Sequence, residues 1–198
     1  MTAEPATASL RRAVLIVAAL NLAYFGIEFS VALAIGSVSL LADSIDFLED
    51  ASINLLILLG LAWSRSAQAK LGMALAAIIL IPGLATLWMA WTKFQAPVAP
   101  AAAPLTIAGL GALAVNVTCA LILARHRGAQ GSLTKAAFLS ARNDALANVA
   151  IIAAGFVTAA TLSAWPDLIV GLAIAAMNAD AAREVWEAAR EEARAAEA

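Results

Sequence analysis

Four acids sit inside a stretch that is otherwise apolar enough to be a membrane helix. Asp43, Asp46, Glu49 and Asp50 fall between the apolar runs 29–41 and 51–63. An ionised carboxylate in hydrocarbon costs at least about 2.5–3.5 kcal/mol on insertion scales. A chain that carries such a row has a use for it, and the usual uses are proton carriage and cation binding. Of the 198 residues, 63% are hydrophobic and 13% charged, whereas soluble domains run near roughly 45–50% and 25%. The row therefore belongs to an integral membrane protein. The formal net charge of −2, with no interleaving of aromatic and basic residues, excludes a nucleic-acid binder. One cysteine, Cys119, and one histidine, His126, exclude a disulfide framework and a Cys/His zinc cluster. Cys119 reads as a small apolar filler and His126 as a solvated loop residue.

A span needs about 20 apolar residues to cross the hydrocarbon. Six candidates satisfy this, at about 13–35, 39–63, 71–92, 104–124, 137–160 and 166–181. The expected fold class is all-α, a six-span transmembrane bundle over 1–181 with a short charged cytoplasmic tail, 182–198. Arg11 and Arg12 precede the first run as in a signal peptide. That run is too long for an h-region and carries Asn21 and Glu28, so it reads as a retained span. Pro97, Pro100 and Pro104 mark the connection between spans three and four, and Asn178 and Asp180 the polar end of span six.

Orientation follows from the basic residues. With six crossings, Arg11, Arg12, Arg65, Lys70, Arg125, Arg127, Lys135, Arg183, Arg190 and Arg194 all fall on one side, and only Lys93 on the other. Both termini are thus expected in the cytoplasm of a multi-pass protein, a pattern that suits a bacterial inner membrane. Trp88, Trp91 and Trp165 then fall near the outer interface and Trp63 near the inner one.

Helix positions three or four apart share a face. Asp43, Asp46, Asp50 and Asn54 step by three, four and four and form one stripe on span two, with Glu49 beside it. Span five repeats the pattern with Ser140, Asp144 and Asn148, flanked by Asn143. Span one adds Asn21 and Glu28, and span four Asn116. At the helical rise, Asp46 and Asp50 lie roughly 10–16 Å from the outer end of span two, and Asp144 roughly 10 Å from the inner end of span five. If the two spans are neighbours, their acids meet near mid-membrane. Two carboxylates there balance one divalent cation. Some of these positions also admit a purely structural reading. Asn21, Asn54, Asn116 and Asn148 suit inter-helix hydrogen bonding; Glu28 can pair with Arg142; Asp43 can be hydrated at the outer interface. No nearby base neutralises Asp46, Asp50 and Asp144 together.

The segment from Ser37 to Asp50, with sequence Ser-Val-Ser-Leu-Leu-Ala-Asp-Ser-Ile-Asp-Phe-Leu-Glu-Asp, resembles the second span of the cation diffusion facilitator family. Phe138-Leu-Ser-Ala-Arg-Asn-Asp-Ala-Leu-Ala-Asn148 resembles its fifth span, and Trp165-Pro-Asp-Leu-Ile-Val-Gly-Leu the start of its sixth. Asn21 with Glu28, and Asn116, match polar positions of spans one and four. The resemblance implies export of divalent metal in exchange for protons, commonly by a homodimer. It also implies a central metal site formed by Asp46, Asp50, Ser140 and Asp144. Glu28, Asp43, Glu49, Asn143 and Asn148 stand as possible accessory groups. Two departures matter. Serine replaces the family's usual His or Asp at position 140, and a short charged helix stands where many members carry a soluble domain.

The metal ion is cargo here, and no cofactor is expected. An oxygen-rich site without imidazole favours harder ions, so Mn²⁺, Fe²⁺ or Co²⁺ is preferred, while Zn²⁺ and Cd²⁺ stay within reach of carboxylates. The other expected partners are protons, the lipid bilayer and a second copy of the chain. The alternative is a non-transporting scaffold of the same fold. An intramembrane protease is disfavoured, because Asp46 and Asp50 lie on one helix and no Gly-x-Gly-Asp or Tyr-Asp arrangement is present.

Overall fold

In lipid a backbone must satisfy its own polar groups, and long apolar runs do so as helices. The computed structural model describes residues 4–60, 74, 83–125 and 131–197, with the side chains of 4–8, 56–57, 59–60, 131–143, 181–182 and 184–197 outside that description. Trp63, Arg65, Lys70, His126, Arg127 and the first half of the expected third span lie outside the described residues. So do the side chains of Lys135, Ser140, Arg142, Asn143, Arg190 and Arg194.

Among the described residues there are six helical segments and no strand. They are α1 (Glu4–Ile35), α2 (Val38–Gly60), α3 (83–95), α4 (Ala102–Ala124), α5 (Gly131–Thr161) and α6 (Trp165–Glu197). Three stretches are long and apolar enough to cross a membrane, Ser9–Ile35, Ala102–Ala124 and Asp144–Thr161. The acids of α2 keep it out of that group, although it packs among the others.

Local chemistry sets the helix ends. Gly36 adopts φ +65°, a conformation that favours glycine, and Ser37 N–H donates to Ala32 O at 2.9 Å. This is the Schellman closure of α1. Ser37 then caps α2, its Oγ accepting from Leu40 N–H at 3.2 Å. One residue thus ends one helix and begins the next, and the chain reverses in two residues. Pro104 sits in the first turn of α4, where its missing N–H costs nothing. At the far end of the chain, α6 runs unbroken from Trp165 to Glu197, through Asn178 and Asp180. Asn178 is a buried contact instead of a polar terminus: its amide donates to Ala42 O of α2 at 3.0 Å.

Five of the helices form a ring in which α1 packs on α2, α2 on α6, α6 on α5, α5 on α4 and α4 on α1, while α2 meets α5 across the middle and α3 packs against α2 and α6. Small residues allow the close approaches. An added Cβ at Gly155 would lie 2.2 Å from Thr106 Oγ1 of α4, and one at Gly171 would lie 2.6 Å from the Val38 carbonyl carbon of α2. Inside the ring, near the 36–37 turn, Ala32, Leu40, Leu41, Leu105, Ala108, Ile151 and Ile174 pack into one apolar layer. The outward faces carry exposed Leu15, Leu22, Leu33, Ile107, Leu110, Phe156 and Ile169, as expected for side chains that meet lipid.

Candidate cation site

Below the apolar layer the interior becomes polar. Asp43, on the second turn of α2, is fully buried, so hydration at an interface does not explain it. Its Oδ2 accepts from Asn148 Nδ2 of α5 at 2.7 Å, and Asn148 Oδ1 in turn accepts from Asn116 Nδ2 of α4 at 3.0 Å. Glu28 of α1 is also wholly buried and faces the Asp43 carboxyl. Both Glu28 oxygens and Asp43 Oδ1 lack a hydrogen-bond donor. Four helices therefore contribute to one cluster with two acids at its centre. Two carboxyls in contact away from water are compatible only with a proton or a cation between them. Glu28 serves this cluster; the side chain of Arg142, its alternative partner, is outside the described residues.

Further along α2, Asn21 Nδ2 of α1 donates to Asp50 Oδ2 at 3.4 Å, and Cys119 Sγ of α4 approaches Asn21 Oδ1 at 3.6 Å. Cys119 is thus buried against polar groups, a placement beyond that of an apolar filler. Asn54 turns back on its own helix and donates to Asp50 O at 2.7 Å. Glu49 is buried beside the stripe. Asp46 stands near enough to Asp43, Asp144, Glu49 and Asp50 for all these charges to interact, and Asp144 likewise interacts with Asp50, Asp43 and Glu49. One oxygen of Asp144 is buried without a donor. Asp46, Asp50 and Asp144 are each partly exposed, in contrast to the sealed Glu28 and Asp43.

The acids of α2 and α5 thus share one electrostatic region. They do not form a ready ligand shell: among the described residues no three His, Cys, Asp or Glu side chains stand together as a metal-holding group. Ser140 and Asn143, expected beside them, lie outside the described side chains.

A second polar centre escaped the sequence reading. Asp167, in the first turn of α6, is fully buried at the start of α2. Its Oδ1 accepts from Ser37 Oγ at 2.6 Å, Ser39 Oγ at 2.7 Å and Ser39 N–H at 3.1 Å. Its Oδ2 accepts from Val38 N–H at 3.0 Å and from Lys93 Nζ of α3 at 2.8 Å. Lys93 also donates to Gly36 O. The carboxylate sits at the positive end of a helix and bonds charge to charge with a lysine. The ammonium and the four other donors offset the cost of burying the Asp167 carboxylate. Lys93, counted by sequence as the one loop cation of its side, is 8% exposed and neutralised. The signals available in sequence were Ser37-x-Ser39 as a helix start and Asp167 just after Trp165-Pro166.

This is the arrangement of a helical membrane protein with an acid-lined interior. The cation efflux transmembrane domain family matches residues 14–191, and the chain belongs to that family. The family transports metal cations, so the chain is read as a transporter and not as an enzyme. No curated relative matches it.

Proposed function

We propose that the protein exports a divalent metal ion by exchange with protons, with Asp46, Asp50 and Asp144 as the charged ligands and Ser140 as the fourth position. The observation that supports this best is the convergence of Asp43, Asp46, Asp50 and Asp144 on one electrostatic region, buried at Asp43 and partly open at the other three, of a cation efflux domain. Carboxylates crowded away from water cannot all be ionised, so the vacant cluster carries protons. A cation arriving from the cytoplasm offers better compensation and displaces them. When the site faces outward, external protons reclaim the oxygens and free the metal. One set of groups then serves both ions and couples their movements. Six spans with both termini in the cytoplasm, a homodimer and a bacterial inner membrane complete the reading, with Mn²⁺, Fe²⁺ or Co²⁺ preferred over Zn²⁺ and Cd²⁺.

Reconstitution in proteoliposomes tests the assignment. Asp50→Ala or Asp144→Ala should abolish metal-dependent proton flux, and flux at the unsubstituted level in either would reject it. Ser140→Asp or Ser140→His should tighten binding or change the order of preference among Mn²⁺, Fe²⁺, Co²⁺, Zn²⁺ and Cd²⁺. An unchanged series would place Ser140 away from the ion.

The competing reading is a scaffold whose acids only join helices, as Asn148 does in bonding Asp43 of α2 and Asn116 of α4. Calorimetric titration of purified protein separates the two. A carrier binds metal stoichiometrically and more tightly as pH rises, whereas a scaffold binds none.

A further inference from the structure

Taking transport through the acid row as its basis, we propose that Asp167 is a positioning residue: it clamps the first turn of α2 and holds the row closed toward the 36–37 end. The clamp must part before a cation can leave there. Five donors from two segments converge on this one carboxylate: two hydroxyls and two backbone N–H groups of the α2 start, and the Lys93 ammonium of α3. Asp167 itself belongs to α6. Because Lys93 also holds Gly36 O, the same set of bonds ties the α1–α2 turn, α3 and α6 together.

The consequence of the clamp is visible in burial. Every residue from Ser37 to Ile45 is buried, and exposure begins only at Asp46. Gly171 lets α6 lie directly on the α2 backbone; a Cβ there would come within 2.7 Å of Ser39 N. Val38, Ala90 and Leu168 pack beneath the ion pair and join α2, α3 and α6 a second time. The apolar layer of Leu40, Leu41, Leu105 and Ile151 then separates the clamp from Asp43. Among the described residues, the segment Ser37–Ile45 offers a hydrated ion at the acid row no exposed side chain at this end. Asp46, Asp50 and Asp144, on the other side of that seal, remain partly open.

The test is the reactivity of a cysteine placed in the sealed turn. Ala42 is wholly buried within it, so Ala42→Cys is made in a Cys119→Ser background. The full chain is reconstituted and exposed to a membrane-impermeant methanethiosulfonate from the side bearing the 36–37 turn. Asp167→Asn should raise the labelling rate about tenfold to a hundredfold, the factor that accompanies loss of one charge-assisted hydrogen bond. Gly171→Ala, which removes no clamp group but pushes α6, and Asp167 with it, off α2, should also raise it. Lys93→Met should raise it less, since four donors remain. The half-saturating metal concentration should shift in Asp167→Asn, while Asp167→Glu recovers part of the shift. If Asp167→Asn does not fold, Gly171→Ala and Lys93→Met carry the test. Equal, slow labelling in all folded variants would overturn the clamp. Faster labelling in a protein that moves no metal would uphold it and remove the transport reading instead.

Discussion

Asn148 decides how Asp43 is held. It gives its N–H to the acid and takes one from Asn116, so a single amide links α5 to both α2 and α4. Removing a partner from a buried acceptor costs about 1–3 kcal/mol. Asn148→Ala strands Asp43 and Asn116 together, whereas Asn116→Ala strands only one acceptor of Asn148. Thermal unfolding in detergent should therefore show the larger loss for Asn148→Ala. Equal losses would mean the three residues do not act in series. At this scale the sequence was partly legible. The step of three and four put Asp43, Asp46 and Asp50 on one face, because helical period is a local property. Which acid would meet which amide was not legible, because that depends on how far α5 is displaced along α2, and no local pattern encodes this.

Among the elements, the α1–α2 turn is limited by backbone conformation and not by space, since a Cβ at Gly36 would meet nothing within 4 Å. Gly36 takes the left-handed conformation that lets Ser37 close α1 and cap α2. Gly36→Ala should destabilise the protein by about 1–2 kcal/mol through that backbone conformation, measured as a lowered unfolding midpoint. An unchanged midpoint would show that the turn accepts a Cβ without strain. Helix ends were readable where a proline or glycine marks them, as at Gly36 and Pro104. The Asp167 clamp was not, since Ser37, Lys93 and Asp167 are remote in sequence and hydropathy reads each as a terminal polar residue. Charge counting likewise has no means of telling a buried lysine from a solvated one.

For the whole molecule, sidedness is the property that transport most depends on. The Trp88, Trp91 and Trp165 side chains are exposed at the same end as the 36–37 turn, where Phe94 meets Trp165 edge to face at 6.0 Å. With Cys119→Ser as background, Val98→Cys should react with an impermeant thiol reagent in intact cells, and Glu197→Cys only after permeabilisation. The reverse pattern would overturn the proposed orientation of the chain. The all-helical class was legible from the apolar runs because lipid permits few alternatives. The ring order of the helices was not, for it is set by close contacts at residues such as Gly155 and Gly171 that pattern reading passes over.

The unbroken α6 has a mechanical consequence. Its 33 residues measure about 50 Å end to end at the helical rise, and one end is pinned beside Lys93. A stiff rod held as far as Asn178 still magnifies small rotations: a tilt of roughly 5° would sweep the tip beyond it through about 2.5 Å over the remaining length. Rearrangement at the pinned tip would be broadcast as a displacement large enough for a neighbouring molecule to feel.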